Sequence, residues 1–320
     1  MTMCPNWNDV KKKMKAGLYG LFLVVLPLQV QAQPEKQNAN DLFRQMLNAR
    51  NLFAYEGILT YERAGRLHSY RVNSDVVTSE SIGASAENTV QSLNALSGAA
   101  RDYLYVSDQN FGLHDRCTPR RQSILDGLEY AYNFFYGGEG RVGGRIGHEI
   151  VLMPMDEYHL GYRYVVDKET GLMLQSVAML PDRTVLERAQ FVDLKINTAS
   201  AVEARNTTIY DDSVDCASKK ESLMGWSLGW VPDGFSLRKQ TEDNMRTSLH
   251  FGDGISTFSV FIEPSGLTPM PAGNLQNGAT ALAIRHYRGA RSSYMMTLVG
   301  EVPPISADLV LQNLEPSGDR

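Results

Sequence analysis

The stretch GYRYVVDKETGLMLQSVAMLPDRTVLERAQFVDLKI (residues 161–196) decides the fold. GYRYVVD, ending at Asp167, is joined by Lys168-Glu169-Thr170 to GLMLQSVAML, and Pro181-Asp182-Arg183 turns that run into VLERAQFVDLKI. Each run is rich in residues that suit a pleated surface. The turns between them are far shorter than the dozen or more residues a parallel crossover needs, so the strands must form antiparallel hairpins. A β-meander is therefore predicted here.

The same pattern continues outward on both sides. GILTYE from Gly57, LHSYRV from Leu67, YLYVS from Tyr103 and HEIVLM from His148 read as further strands. Ahead of them, Asn38 or Asn40 is placed to cap a short helix. In it Leu42, Phe43, Met46 and Leu47 recur at i, i+4 and i+1, i+5 and share one stripe. After Asn197 the pattern dissolves into Thr, Ala, Asp and Ser up to Ser222, which reads as a linker. A second unit begins with WSLGWVPDGFSL at Trp226, where Pro232-Asp233-Gly234 signals a turn. Strands FSVFIE, TALAIRHY and YMMTLVGE follow, and Pro303-Pro304 ends the last of them. Ser306 is then expected to cap a final helix carrying Leu309, Val310 and Leu314. The stretch from Glu263 to Gly278, with three Pro and three Gly, reads as a mobile loop.

The N-terminus reads as an address. Lys11, Lys12, Lys13 and Lys15 precede an apolar stretch from Ala16 to Leu28, and Val30-Gln31-Ala32 offers small residues at −3 and −1. That is the layout of a secretory signal peptide cleaved before Gln33. About 13 apolar residues fall short of the roughly 20 that span a bilayer. Gln33, not Cys, follows the expected cleavage point, so no lipid anchor is indicated. The expected organisation is residues 1–32 as signal, 33–200 as the first domain, 201–222 as linker and 223–320 as the second domain. The product is expected to be soluble and outside the cytoplasm.

Composition narrows the function classes. The 320 residues are 43% hydrophobic and 21% charged, which excludes a disordered or collagen-like chain. Net charge is −5, and without the first 32 residues 27 Lys+Arg face 35 Asp+Glu. An acidic chain argues against nucleic acid as the partner, since phosphate neutralisation needs a basic surface. Beyond the signal, Cys117 and Cys216 are the only cysteines. In an oxidising compartment they are a candidate disulfide, worth at most about 4.7 kcal/mol for a loop of about 100 residues. Two unrelated buried thiols are the alternative.

Searches for catalytic chemistry fail one by one. Gly138, Gly140 and Gly143 match G-x-G-x-x-G, but the dinucleotide fingerprint needs a strand before it and a helix after it. Here more glycine and a strand follow, so a flexible loop is expected. His148-Glu149 opens H-E-x-x-H, yet Leu152 stands where the second His must be. The six histidines show no paired metal spacing, and no G-x-S-x-G or G-K-[ST] is present. Adjacent acids such as Asp156-Glu157 suit a solvated strand end better than an acid/base couple. Neither cofactor nor metal is expected, and an enzyme is not.

What stands out is apolar excess. GLMLQSVAML is apolar in both phases: Leu172, Leu174, Ala178 and Leu180 alternate with Met173, Val177 and Met179. A half-solvated strand would show one polar face. Tyr130, Tyr132, Phe134, Phe135 and Tyr136 crowd the approach to the glycine run. Methionines and aromatics in number suit an adaptable site for acyl chains or peptide side chains, and equally an ordinary core.

The chain resembles the RseB/MucB family of periplasmic regulators of the envelope-stress sigma factor. The resemblance starts with FRQM and YEGILTYE (Phe43 to Glu62) and continues through LNALSGAARDYLYV and DEYHLGYRYVVDKETGLML (Asp156 to Leu174). WSLGWVPDGFS, Asp253-Gly254, FSVFIE, GATALAIR and TLVGEVPP carry it through the second unit. SDVVTSESIGASAEN departs from the more basic stretch of the family, and no ligand residue is carried over from it. The resemblance implies an α+β protein. Its first domain would be a half-open antiparallel β-barrel with packed helices, similar to the carriers LolA and LolB, followed by a smaller C-terminal sheet-and-helix domain. It also implies binding of the periplasmic segment of an anti-sigma factor (RseA/MucA), shielding of that segment from site-1 proteolysis, and release by lipopolysaccharide or acyl lipid. We expect a two-ligand switch, with the peptide held across both domains. Acyl chains would lie in a hollow lined by some of Phe134, Phe135, Tyr136, Met153, Met173 and Met179. About 100-fold release then requires roughly 2.7 kcal/mol of coupling. A lipid or lipoprotein carrier is the rival reading, an exported hydrolase a second, and homo-oligomerisation stays open.

Overall fold

In the computed structural model the described residues are 38–317, apart from 50–51, 80–82, 94–127, 199–222, 224, 244–245, 267–269 and 290–291. The signal and its cleavage point, the YLYVS strand, the whole of the 201–222 linker, and Cys117 and Cys216 lie outside them.

The first helix, α1 (Ala39–Ala49), starts where Asn38 predicts it. The Asn38 Oδ1 accepts the Asn40 amide at 3.1 Å, relieving one orphan donor of the first turn. Leu42, Phe43 and Met46 are buried on one stripe.

The meander is present. Strands β1 (Ala54–Arg63), β2 (Arg66–Ser79), β3 (Gly83–Ser92), β4 (Tyr132–Val142), β5 (Arg145–Pro154), β6 (Gly161–Asp167), β7 (Met173–Met179) and β8 (Val185–Asn197) form one sheet in the order β3-β2-β1-β8-β7-β6-β5-β4. Every pairing among them is antiparallel. Among the described residues β3 and β4 are its two margins, so the sheet they form is open. The helix α1 lies against β4 and β5, and a helical turn at residues 128–131 runs directly into β4.

The second sheet is built from β10 (Ser236–Glu242), β11 (Thr247–Gly252), β12 (Thr257–Pro264), β13 (Gly273–Asn277), β14 (Thr280–Arg288) and β15 (Ser293–Gly300), ordered β10-β11-β12-β15-β14-β13. The last helix, α2 (Pro304–Gln312), packs on it through Ala307, Val310 and Leu311. A two-stranded ribbon pairs β9 (Trp226–Leu228) with β16 (Leu314–Pro316). Mostly antiparallel sheet with few helices is thus the architecture.

Three expectations are corrected. The glycine run at 138–143 is not a loop: Gly138 and Gly140 lie within β4, and the turn comes at Gly143-Gly144, where φ is +56° and +79°. Gly138, at φ +102°, sits at a bulge that a residue with a Cβ would strain. The stretch from Glu263 to Gly278 contains strand β13, paired to β14 from Asn277↔Thr280 to Gly273↔Ile284. Ser306 does not cap α2, because Pro303 occupies that position with Pro304 just inside. The Ser306 hydroxyl instead donates to the Tyr158 carbonyl oxygen at 2.7 Å.

Candidate functional site

Strand parity sorts the six expected contact residues. In an antiparallel pair, residues directly opposite share a face. Phe134 pairs with Leu152, and Leu152 with Tyr162, placing Phe134 over the core that α1 covers. Tyr136 and Met173 belong to the same core. Phe43 of α1 meets the Phe134 ring edge-on at 5.5 Å and Tyr164 at 5.9 Å. The Tyr136 hydroxyl lies 3.1 Å from His148 Nδ1.

Phe135, Met153 and Met179 are in the opposite phase. Phe135 pairs with Val151, Met153 with Asn133, and Met179 with Gly161. Phe135 is 52% exposed, whereas Met179 is buried. The six residues therefore divide three and three between the two faces and do not line one hollow together.

The residues that sequence reasoning missed form a seam joining the two sheets. Tyr132 and Tyr162, buried on the face beneath α1, reach the loop between β11 and β12. The Tyr132 hydroxyl donates to Asp253 Oδ2 at 3.3 Å, and the Tyr162 hydroxyl is 2.6 Å from Ser256 Oγ. Asp253 Oδ1 accepts the amides of Ile255 and Ser256, an Asx-type turn that locks the loop. Nearby, buried His159 hydrogen-bonds Asp156 Oδ1 through Nδ1 at 2.7 Å, and its Nε2 donates to the Asp233 carbonyl oxygen at 2.8 Å. The imidazole stacks on Phe235 at 5.7 Å.

A second clasp lies at β8. Glu187 is buried; its Oε2 accepts from the Tyr61 hydroxyl at 2.6 Å and its Oε1 from the Ala279 amide at 2.8 Å. Arg63 Nε approaches the same carboxylate at 3.2 Å, and the guanidinium also donates to the Asn277 carbonyl oxygen. Burial raises the Tyr61 phenol well above its usual value, and the Glu187 charge raises it further. Burial likewise pushes the phenols of Tyr132 and Tyr162 up. These tyrosines keep their protons near neutrality and act as neutral hydrogen-bond donors.

Asp253 is fully buried, and that burial raises its carboxyl above the ordinary aspartate range against the pull of its amide donors. A raised carboxyl favours the folded state most when protonated, so its contribution is full below the unfolded value and is lost as pH rises through the folded one. The wild-type melting temperature should therefore fall relative to Asp253→Asn as pH rises above 4. Parallel melting curves from pH 4 to pH 7 test this, and a constant difference between the two proteins would refute it.

Among the described residues, no cluster of three or more His, Cys, Asp or Glu is arranged to hold a metal ion. No helix there is long and apolar enough to cross a membrane. The arrangement is one of surfaces and a polar seam.

Comparison with known proteins gives the chain its relatives. The sequence profile of the MucB/RseB N-terminal domain matches residues 38–211, and that of the MucB/RseB C-terminal domain matches residues 220–315. The Sigma factor AlgU regulatory protein MucB of Pseudomonas aeruginosa is 28% identical over 315 residues, covering 92% of this chain and 96% of that protein. The Sigma-E factor regulatory protein RseB of Haemophilus influenzae is 27% identical over 202 residues, 60% of this chain and 62% of that one. In fold, the chain is similar to the crystal structure of MucB in complex with MucA(peri), with a TM-score of 0.65 at 24% identity, over 88% of this chain and all of that one. A Pseudomonas aeruginosa MucA/MucB complex gives a TM-score of 0.67 at 24% identity, with the same coverage. With both domain profiles matched in order along one chain, this protein belongs to the MucB/RseB family of sigma-factor regulatory proteins.

Proposed function

We propose that this protein is an exported, periplasmic negative regulator of an envelope-stress sigma factor. It holds the periplasmic segment of a MucA/RseA-type anti-sigma factor and keeps that segment from site-1 cleavage. The observation that carries this reading is the co-linear match of both family domains, with MucB as a relative over 92% of the chain. The absence of a recognisable catalytic constellation in the sequence agrees with a binding role. The boundaries read from the sequence, 33–200 and 223–320 around a linker at 201–222, go with this proposal. So does a first domain curved into a half-open barrel.

Release by lipopolysaccharide or acyl lipid completes the proposal. Because the six apolar candidates split between two faces, acyl chains have two separate places to lie: beside Phe134, Tyr136 and Met173, or against Phe135 and Met153. A ligand shifts such an equilibrium only by its difference in affinity for the two states.

The test is binding of the purified chain from Gln33 to the labelled periplasmic segment of a MucA-type protein, with and without lipopolysaccharide. We expect tight binding that lipopolysaccharide weakens by about 100-fold, a coupling of roughly 2.7 kcal/mol. Less than a few-fold weakening removes the lipid switch. Lipid binding with no affinity for the peptide would make the protein a carrier.

A further inference from the structure

His159 lies in the loop between β5 and β6, with its side chain sealed from solvent. Both of its ring nitrogens face groups that can only accept a hydrogen bond. Nδ1 is 2.7 Å from Asp156 Oδ1, and Nε2 is 2.8 Å from the backbone carbonyl oxygen of Asp233, in the turn that leads to β10. The ring therefore bridges the first sheet to the second. A neutral imidazole has one N–H and one bare nitrogen. Either neutral form would set a nitrogen lone pair against an oxygen lone pair, at a distance too short for water to intervene. Only the doubly protonated ring donates to both partners, and the partners are what assign the protons.

The groups around the ring suit a cation. Within its own loop, Asp156 Oδ1 also accepts the Tyr158 amide at 2.8 Å, which fixes the carboxylate beside Nδ1. From the second unit, the Phe235 ring stacks on the imidazole at 5.7 Å, and an aromatic face attracts positive charge. From β4, the Tyr132 ring meets it in a T-shape at 5.6 Å, and the Tyr132 hydroxyl donates to Asp253 of the loop between β11 and β12. Burial raises the Asp253 carboxyl, and a His159 charge acts against that rise, so the two groups feel one another across the seam. Glu157 and Asp233 are exposed. We propose that His159 is a proton-operated latch between the two sheets, an imidazolium that donates from Nδ1 to Asp156 and from Nε2 to the Asp233 carbonyl oxygen. Closing the seam takes up a proton at His159, and opening releases it. Neutral or mildly acid medium tightens the seam, and alkali loosens it. Histidine suits such a place because its ordinary change of charge falls between roughly pH 5 and 8. The latch acts on how the two sheets hold together, whichever ligand the protein binds.

The experiment reads the ring directly, by nitrogen NMR of the purified chain from Gln33 with its histidines isotopically labelled. The His159 signal is identified by its loss in His159→Gln or, where that variant does not fold, by its proximity to the Phe235 ring protons. At about pH 7.5, where a free histidine is largely neutral, both His159 nitrogens should still carry protons. One bare nitrogen at that pH overturns the latch. Asp156→Asn supplies a second measurement, because it keeps an acceptor oxygen for the ring and the Tyr158 amide while removing the charge. A proton bound more tightly in the folded state adds stability that is full in mild acid and is lost as pH rises. Wild type should therefore melt about 3 °C above Asp156→Asn at about pH 6, with the gap closing by about pH 9. A gap that stays constant or widens over that range overturns the proposal.

Discussion

Replacing Phe43 by alanine is expected to destabilise the protein by about 4 kcal/mol, near the upper end for truncating a fully buried aromatic residue. Phe43 is 1% exposed, and its ring is the point where α1 is pinned between Phe134 and Tyr164. Deleting it removes the apolar area of the ring and leaves a void bounded by two strands and a helix. β6, held by ladder bonds on both sides, relaxes little to fill such a space. Phe43→Leu, which keeps most of the volume, should cost under about 1.5 kcal/mol. Urea unfolding of the three proteins measures both quantities. A loss below about 1 kcal/mol for the alanine variant would mean that α1 is not anchored through this residue.

Glu187→Ala is the second large effect, at about 3 kcal/mol. Removing one partner of a buried charged network costs more than the pair contributes, because the groups left behind stay desolvated. Here the Tyr61 hydroxyl and the Ala279 amide both lose their acceptor, and the Arg63 guanidinium loses its counter-charge. Arg63→Ala should cost clearly less, since Arg63 is the more exposed partner and the carboxylate would keep two donors. Denaturant midpoints rank the two variants, and the reverse order would show that the clasp is centred on the arginine. Because Glu187 belongs to the first sheet and Ala279 to the turn between β13 and β14, the Glu187 variant should also loosen the two sheets from one another. Faster hydrogen exchange at the Ala279 amide would report it.

Much of the architecture is legible in the sequence. The hairpins over residues 161–196 carry strand-forming residues, their own turns and no room for a crossover. β12, β14 and β15 were legible for the same reason, and Asn38 or Asn40 announced α1. Where reading failed, the physical signal was missing. Glycine has no side chain to alternate, so the half of β4 containing Gly138 and Gly140 looked like a loop. β13 is a margin strand with four of five residues exposed, and nothing in such a strand records a buried face. The candidate contact residues were identifiable as apolar excess, but their division was hidden. β6 and β7 are buried on both sides, and a strand without a polar phase does not say which way its side chains point. The seam was illegible for a different reason. Tyr61 and Glu187, Tyr132 and Asp253, and Tyr162 and Ser256 are each more than 90 residues apart, and local periodicity carries no trace of such a pairing.

Among the described residues β4 is an open margin of the first sheet, and that has a consequence for association between molecules. An unpaired strand invites a neighbouring molecule to continue the ladder, and that invitation is how soluble chains become fibres. β4 declines it through its own irregularity. The backbone steps out of register between Tyr136 and Gly138, so an incoming strand would lose its hydrogen-bonding rhythm halfway along. Beyond the step come exposed Glu139 and Arg141, charged side chains of the kind that blunt a sheet margin. The glycines that disguised this strand in the sequence are thus what keeps molecules apart once it has formed.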